Sequence, residues 1–365
     1  MRILHIYKDY YPVLGGIENH VRVLAEAQAA DGHAVTVVVC SLGHFTSQEY
    51  LNGVHIIRAG RVCTLASMPI SLSQPFFILR QKSDIVHIHS PYPLGEISAW
   101  IFKRKIPLVI TYHSDIVNQK RLLRLYGPLL RMILDRARII IGTSPRYIET
   151  SPWLFPSRNN YRVIPLGVDP NIFKPAGIPH PPGRRLLFVG KLRYYKSLDT
   201  LFHALSALSG VVLSVAGSGS MKKKWTNVAK QAGVADRVHF LGEIPDADLP
   251  ELYHNADLFV LPANCRAEAF GTVLLEAMAS GLPCITTEIG TGTTWLVKNG
   301  VTGLVVQPDD PAALAEAIDS LLSDDAMLKR MGCAGRARIE AEFTSNRMID
   351  RVMKVYAEAV GVNSA

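Results

Sequence analysis

Short, uninterrupted runs of valine, isoleucine and leucine alternate with helix-forming stretches along almost the whole chain. A strand with one wet face alternates apolar and polar residues. A strand apolar throughout needs cover on both faces, which is the condition of a parallel sheet between layers of helices. In the first half these runs are Ile3–Ile6, Val35–Val39, His55–Ile57, Ile85–Ile88, Leu108–Thr111 and Arg138–Ile141. Between the first two, Ile17, Val21, Leu24 and Ala25 share one face of a helix over Ile17–Ala30. The pattern predicts a doubly wound α/β unit.

The rhythm breaks over Ile164–Arg184, which holds six prolines and three glycines, and 166–184 reads as an interdomain linker. It restarts with Leu186–Val189, Val211–Val215, Val238–Leu241, Leu258–Leu261, Cys284–Thr286 and Gly303–Val306. The expectation is therefore α/β with two tandem Rossmann-like domains, 1–165 and 185–345, and a cleft between them. A last amphipathic helix over Asn346–Ala359, within 346–365, carries Met348, Ile349, Val352, Met353 and Tyr356 on one side. With 365 residues, 48% apolar and 19% charged, the chain has material for two cores and is not a disordered polymer. Five scattered cysteines without a CxxC pair exclude a disulfide scaffold or a thiolate zinc site, and they fit a reducing cytoplasm. The N-terminal residues lack the long apolar core of a secretion signal.

Charge is lopsided. Residues 1–165 hold 19 lysines and arginines against 10 acidic residues, whereas 166–365 hold 20 against 21. The first half is thus suited to an anionic partner, for which a membrane surface, a phosphorylated lipid or a nucleic acid is a candidate. Its basic residues include Lys103, Arg104 and Lys105, and the run Lys120, Arg121, Arg124, Arg131, Arg136 and Arg138. That run is interleaved with Leu122, Leu123, Leu125, Leu129, Leu130, Ile133 and Leu134. Basic and apolar faces on one helix suit an anionic leaflet, but also a solvated helix packed on a core. The uncharged run Val62–Leu79 approaches the length of a membrane span, yet Pro69, Gln74, Pro75 and its serines argue against a spanning helix.

Four segments carry candidate chemistry. Gly15 and Gly16 precede the first helix, where bare backbone and a helix N-terminus suit a diphosphate. Glu268–Ala–Phe270–Gly271–Thr272 follows the run Leu258–Leu261 and opens a helix containing Glu276. Gly271 and Thr272 would offer amides to phosphate, with Phe270 beside them. If helical throughout, the two glutamates would stand ~12 Å apart along the axis, too far to share a proton and suited to two ends of one ligand. Lys191 and Lys196 lie past the first run of the second domain, where doubly wound folds bind ligands. Tyr112–His113–Ser–Asp115 ends another run and places an imidazole in the same kind of position. Asp246–Ala–Asp248 has the spacing of a metal-binding DxD, but Asp248 and Glu251 read as a capping box. Gly217–Ser–Gly219 lacks the third glycine of a dinucleotide fingerprint.

In order along the chain, GGIE at 15–18, YHSD at 112–115, VGKL at 189–192 with Lys196, AGSG at 216–219 and the E-x7-E element at 268–276 resemble the retaining, metal-independent glycosyltransferases of family 4. The likeness spans essentially the full length, and Tyr112–Leu129 looks like bacterial mannosyltransferases that build lipid-linked polysaccharides. The resemblance implies a GT-B fold and a nucleotide-sugar donor, GDP-mannose ahead of UDP-sugars. It implies no metal and no further cofactor. It implies that Gly15 and Gly16 face the donor diphosphate and that His113 contacts the transferred sugar. Lys191 and Lys196 would stabilise departing phosphate, Glu268 would hold sugar hydroxyls and Glu276 the ribose. Phe270, Gly271 and Thr272 would shape the phosphate seat, and the last helix would pack back on the first domain. The chain departs from the family at Lys191, where arginine is usual, at Ser197, where glycine is usual, and at Thr291–Gly–Thr–Thr.

A retaining hexosyltransferase acting on a glycan or lipid-linked acceptor at the inner face of the plasma membrane is the leading expectation, with no nucleic-acid partner. A nucleotide-sugar epimerase and a non-catalytic sugar-binding protein are the alternatives. Glycoside hydrolysis fits less well, because the carboxylates neighbour phosphate seats instead of flanking a glycosidic bond.

Overall fold

The structure, a computed structural model, describes all residues except 66–67, 155–159, 176–182 and 362–365, and of Lys120 the backbone alone. Parts of the expected linker, of the run Val62–Leu79 and of the C-terminal segment 346–365 thus lie outside the described residues, as does the side chain of Lys120. The chain forms two units. Unit 1 comprises Met1–Pro165 and Asn346–Ala365, and unit 2 comprises Leu166–Ser345.

Unit 1 contains β1 (Arg2–Ile6), β2 (Ala34–Cys40), β3 (Ser47–Leu51), β4 (Val54–Ala59), β5 (Cys63–Leu65), β6 (Met68–Ile70), β7 (Ile85–Ser90), β8 (Leu108–Tyr112), β9 (Ile139–Gly142) and β10 (Tyr161–Val163). Its helices here are α1 (Gly16–Ala30), α2 (Gln74–Arg80), α3 (Pro93–Phe102), α4 (Lys120–Arg136) and α5 (Pro145–Thr150). The main sheet runs β10-β9-β8-β7-β1-β2-β4-β3, parallel except where β3 meets β4. The middle strands β7, β8 and β9 are buried at every position, as their apolar sequences require. β5 and β6 form a separate antiparallel ribbon, so Val62–Leu79 becomes a ribbon followed by α2.

Unit 2 contains β11 (Arg185–Val189), β12 (Val212–Ala216), β13 (Val238–Gly242), β14 (Leu258–Leu261), β15 (Cys284–Thr287) and β16 (Gly303–Val306). Its helices are α6 (Leu198–Ser206), α7 (Lys222–Gln231), α8 (Leu249–His254), α9 (Thr272–Ala279), α10 (Thr293–Leu296), α11 (Pro311–Leu322) and α12 (Asp325–Glu342). The sheet order is β13-β12-β11-β14-β15-β16, parallel throughout. Each unit is thus a doubly wound α/β layer structure.

The start of the expected linker is not a free tether. Leu166 and Val168 are buried in the core of unit 2, and Val168 exchanges backbone hydrogen bonds of 3.0 Å with Phe343 and Ser345. The last helix, α13 (Ser345–Val360), buries Met348, Ile349, Val352, Val355 and Tyr356. It packs within unit 1 through Tyr356 Oη on His87 Nδ1 at 2.6 Å and through the ion pair Arg162–Glu358.

Two members of the expected basic surface turn inward. Lys103 is buried and donates to the carbonyls of Leu79 (3.2 Å) and Gln81, closing the end of α2. Arg136 donates to Ala99 O at 3.2 Å and to Lys103 O, closing α3. Carbonyls left unpaired at helix ends are what these cations satisfy.

Candidate functional site

In unit 2 the chain leaves the central strand β11 for β12 and β13 on one side and resumes with β14, β15 and β16 on the other. The crevice beyond the carboxyl ends of β11 and β14 is therefore a topological switch point, the place where open α/β sheets bind ligands. The loop after β11 is braced by the Gly217–Ser–Gly219 turn. A Cβ at Gly217, whose φ is +136°, would lie 2.0 Å from Gly190 O, so no other residue fits there.

A short 3₁₀ turn, Tyr194–Lys196, rolls Lys196 inward until 6% of it is exposed, while Lys191 and Arg193 stay exposed. Lys196 Nζ lies 2.5 Å from Glu268 Oε2, and Glu268 is itself 8% exposed. The ammonium also faces the rings of Tyr195 (5.7 Å) and Phe188 (6.0 Å). Burial, the largest single influence, would lower the Lys196 pKa, but the charge and hydrogen bond of Glu268, with Tyr195 and Glu276, together outweigh it and the pKa is raised. Glu276, on α9, accepts from Tyr253 Oη at 2.7 Å. Burial pushes its pKa up to about 7, with Asp246 adding to the shift and Tyr253 and Lys196 opposing it. Lys196, Glu268 and Glu276 thus share one electrostatic environment.

Gly271 is the N-cap of α9 with φ +83°, and a Cβ there would press to 2.9 Å from Leu274 Cδ1. No side chain caps α9, and within its first turn the Leu274 N–H donates to Gly271 O at 2.9 Å. Thr272 is partly exposed, whereas Phe270 is buried against the bare α-carbon of Gly292. Phe270 therefore supports the loop from beneath. Ser197 has φ +49°, and its hydroxyl bonds Asp309 Oδ1 (3.1 Å) and Thr200 Oγ1 (2.9 Å). Those bonds offset the steric cost of a side chain in the left-handed region. Asp248 occupies the N-cap of α8 but makes no side-chain cap bond, so the expected capping box is not formed.

In unit 1 the switch point lies at β1 and β7. Parallel register pairs His5 with His87 and His89 with Thr111, and His113 follows β8 with its N–H on Ser90 O at 2.9 Å. The result is a buried group of five histidines, His5, His20, His87, His89 and His113. His5 Nδ1 lies 3.1 Å from His89 Nε2, and His89 Nδ1 lies 3.1 Å from His113 Nε2. His20, from α1, stands edge-on to His89 and His113 at 5.5 and 5.2 Å between centroids. Burial lowers the pKa of His5 to about 4 and of His20 to about 3, and holds His87, His89 and His113 well below the ordinary value. His5, His87 and His89, and likewise His20, His89 and His113, bring ring nitrogens within 4.8 Å of one another, a set able to ligate a transition metal.

Asp115 anchors the loop after β8. It accepts from Tyr112 Oη (3.0 Å) and Ser151 Oγ (2.7 Å), and its N–H donates to Tyr147 Oη (2.6 Å). Gly15 is the N-cap of α1 with φ 169°, ordinary extended backbone, and Gly16 begins the helix. Neither needs left-handed backbone, so their smallness matters through the uncapped helix end alone.

Two family models match the chain: Glycosyltransferase Family 4 over residues 14–172 and Glycosyl transferases group 1 over 171–338. The O-antigen chain mannosyltransferase C of Escherichia coli is 33% identical over 370 residues, covering 98% of each chain. The D-rhamnosyltransferase WbpZ of Pseudomonas aeruginosa is 36% identical over 364 residues, covering 94% of this chain and 93% of that one. The chain belongs to the group 1/family 4 glycosyltransferases of GT-B fold. A solved sucrose-phosphate synthase from Thermosynechococcus elongatus shares that fold, with a TM-score of 0.83 at 24% identity over 99% of this chain and 100% of the other.

For this glycosyltransferase, Lys196 and Glu268 form a buried ion pair in unit 2 that shares its surroundings with the half-buried Glu276, with Lys191 standing apart in solvent. Sequence reasoning missed Tyr253, which holds Glu276, and four of the five buried histidines. The available signal was His87-x-His89 inside an apolar strand, because the two side chains of such a pair share a face.

Proposed function

We propose that this glycosyltransferase is a retaining hexosyltransferase that moves mannose from GDP-mannose to a glycan or lipid-linked acceptor. The observation that carries this reading is the buried Lys196–Glu268 pair beside Glu276 at the switch point of unit 2. Lys196 and the uncapped end of α9 supply positive potential for a departing diphosphate. Glu268 holds sugar hydroxyls, Glu276 the ribose hydroxyls, and Thr272 and Gly271 the phosphate. His113 contacts the transferred hexose, and Gly15 and Gly16 place the end of α1 toward the diphosphate. Lys191, exposed, meets the outer phosphate. The acceptor hydroxyl attacks from the face that the diphosphate leaves, and the departing phosphate takes its proton. No carboxylate nucleophile and no metal is needed.

The choice of mannose is supported by the name of the Escherichia coli relative. Screening nucleotide sugars for thermal stabilisation tests it, since a ligand of the folded state raises stability with its concentration. GDP-mannose should stabilise most and transfer should survive excess EDTA. Stabilisation by a UDP-sugar instead, or loss of transfer restored by Mg²⁺, overturns those parts of the reading.

We further infer a lipid-linked acceptor at an anionic membrane. On α4, Leu122 (49%), Leu125 (82%) and Met132 (51%) are exposed, on the helix that also exposes Arg121, Arg124 and Arg131. Leu130, Ile133 and Leu134 on the same helix face the core, so α4 has two apolar faces, and the outer one is left open. No helix among the described residues is long and apolar enough to cross a membrane. Each basic side chain near an anionic leaflet contributes about 1 kcal/mol. Binding to anionic but not neutral vesicles, lost on replacing Arg121 and Arg124 with glutamate, is expected. Equal indifference to both vesicle types removes the membrane from the reading.

A further inference from the structure

Four buried side chains of unit 1 form a single hydrogen-bonded file. Gln28 Oε1 lies 2.8 Å from His5 Nε2, His5 Nδ1 lies 3.1 Å from His89 Nε2, and His89 Nδ1 lies 3.1 Å from His113 Nε2. Gln28, His5 and His89 are fully buried and His113 is 3% exposed. At the far end, His113 Nδ1 is buried with no hydrogen-bond partner among the described residues. The near end touches α13: Gln28 Nε2 donates to Met353 Sδ at 3.6 Å, and Gln28 also hydrogen-bonds Tyr356.

Proton counting gives this file a direction. A neutral imidazole has one N–H and one bare nitrogen. Burial keeps His5, His89 and His113 neutral. The thioether of Met353 can only accept, so the amide N–H of Gln28 turns to it and the carbonyl oxygen turns to His5. His5 must then carry its proton on Nε2, leaving Nδ1 bare to accept from His89 Nε2. His89 Nδ1 is bare in turn and accepts from His113 Nε2. The last nitrogen, His113 Nδ1, is left as a lone pair. Were Gln28 reversed, every proton in the file would move to the other nitrogen, and His113 would present an N–H instead.

We propose that Gln28, held by Met353 and Tyr356, is a positioning residue that sets the tautomer of His113 through His5 and His89, so that Nδ1 offers a hydrogen-bond acceptor to a hydroxyl of the transferred hexose. The final clause rests on the reading of His113 as a sugar contact; the tautomer itself does not. His87 stays outside the file, its nitrogens occupied by Tyr356 and Thr111 at 2.6 and 2.7 Å. A bare acceptor selects a sugar that brings a hydroxyl to this point and disfavours one that brings an ether or a fluorine, because neither can donate.

Nitrogen-15 NMR of histidine-labelled, ligand-free protein reads the tautomer directly. The expected spectrum shows His113 protonated at Nε2 and bare at Nδ1. Gln28→Leu, which removes the fixed acceptor, should give two tautomers of His113 and an about tenfold fall in kcat, the equivalent of one lost hydrogen bond. Gln28→Glu offers oxygens only and should restore the single tautomer. Met353→Leu combined with Tyr356→Phe, which frees the amide to turn, should split the His113 signal even if Gln28→Leu does not fold. Protonation of wild-type His113 at Nδ1, or an unchanged tautomer in the folded variants, overturns the proposal. So does a joint shift of His20, His89 and His113 on adding stoichiometric Zn²⁺, which would make the group a metal centre. A correct tautomer in a protein that transfers no hexose would instead sink the functional reading alone.

Discussion

The two units are built alike and electrified differently. Each carries its buried polar group at the switch point of a parallel sheet, yet in unit 1 that group is five neutral histidines and in unit 2 it is a lysine with two glutamates. The histidines keep their burial affordable by giving up charge; Lys196 and Glu268 keep theirs by pairing. A neutral hydrogen-bonding surface suits hydroxyls. A buried ammonium suits an anion. The same architecture therefore offers two chemistries, chosen by which residues end the strands.

Acid separates the units most strongly. A histidine whose folded pKa lies below its ordinary 6.5 contributes stability above pH 6.5 and loses it as pH falls toward the folded value. Between pH 6.5 and 5, His5 and His20 alone should withdraw about 3 kcal/mol from unit 1, and the other three act in the same direction. Glu276 runs the opposite way. Its pKa of about 7 lies above the ordinary 4.5, so the same acidification adds about 2 kcal/mol to unit 2. Hydrogen exchange measured by peptide should show unit 1 opening near pH 5 while unit 2 stays protected. Simultaneous loss of protection would break the contrast.

The next largest effect concerns the ion pair. Lys196→Met leaves Glu268 buried and unpaired, which costs about 3–5 kcal/mol. Combining it with Glu268→Gln should recover much of the melting temperature and none of the transfer. If the single variant melts like the parent, the pair does not stabilise unit 2 as its burial implies.

Smaller effects centre on Glu276. Glu276→Ala should weaken donor binding by about 1.5–3 kcal/mol, whereas Glu268→Ala should chiefly lower turnover. On the proposed ribose contact, donor affinity should rise as pH increases through about 7, where Glu276 ionises, and lose that dependence in Glu276→Gln. Tyr253→Phe should cost about 1 kcal/mol and move the midpoint upward, because the lost hydrogen bond had favoured the charged form. Isothermal titration across pH measures all three.

The parallel strands were legible because two buried faces demand unbroken apolar runs. β3, with the sequence SQEYL, was not: it is an antiparallel edge strand with almost every residue exposed, so no burial pattern marks it. β10 is a three-residue edge strand and escaped for the same reason. At the site, the E-x7-E spacing and the basic loop stood out as local sequence. Which lysine enters the interior did not, since Lys191 and Lys196 differ only through the 3₁₀ turn that separates them. The histidine group was invisible for a third reason. His5, His89 and His113 are separated by 84 and 24 positions and meet only through strand register. Asp248 teaches the converse, for a capping sequence can sit at the right position and leave its bond unmade.

The path of the chain at Val168 and Ser345 has a consequence for how the molecule comes to exist. Unit 2 is an insertion within unit 1, and α13, which seats His87 and Gln28, is made only after the whole of unit 2. Closing an unstructured loop of that length would carry an entropic penalty of about 5 kcal/mol. A folded unit 2 removes it, because Val168 bonds Phe343 and Ser345 and so holds entry and exit side by side. Dependence therefore runs one way: unit 2 closes on its own residues through Val168, Phe343 and Ser345, while the histidine file of unit 1 gains its contacts with α13 at lower entropic cost once unit 2 has folded.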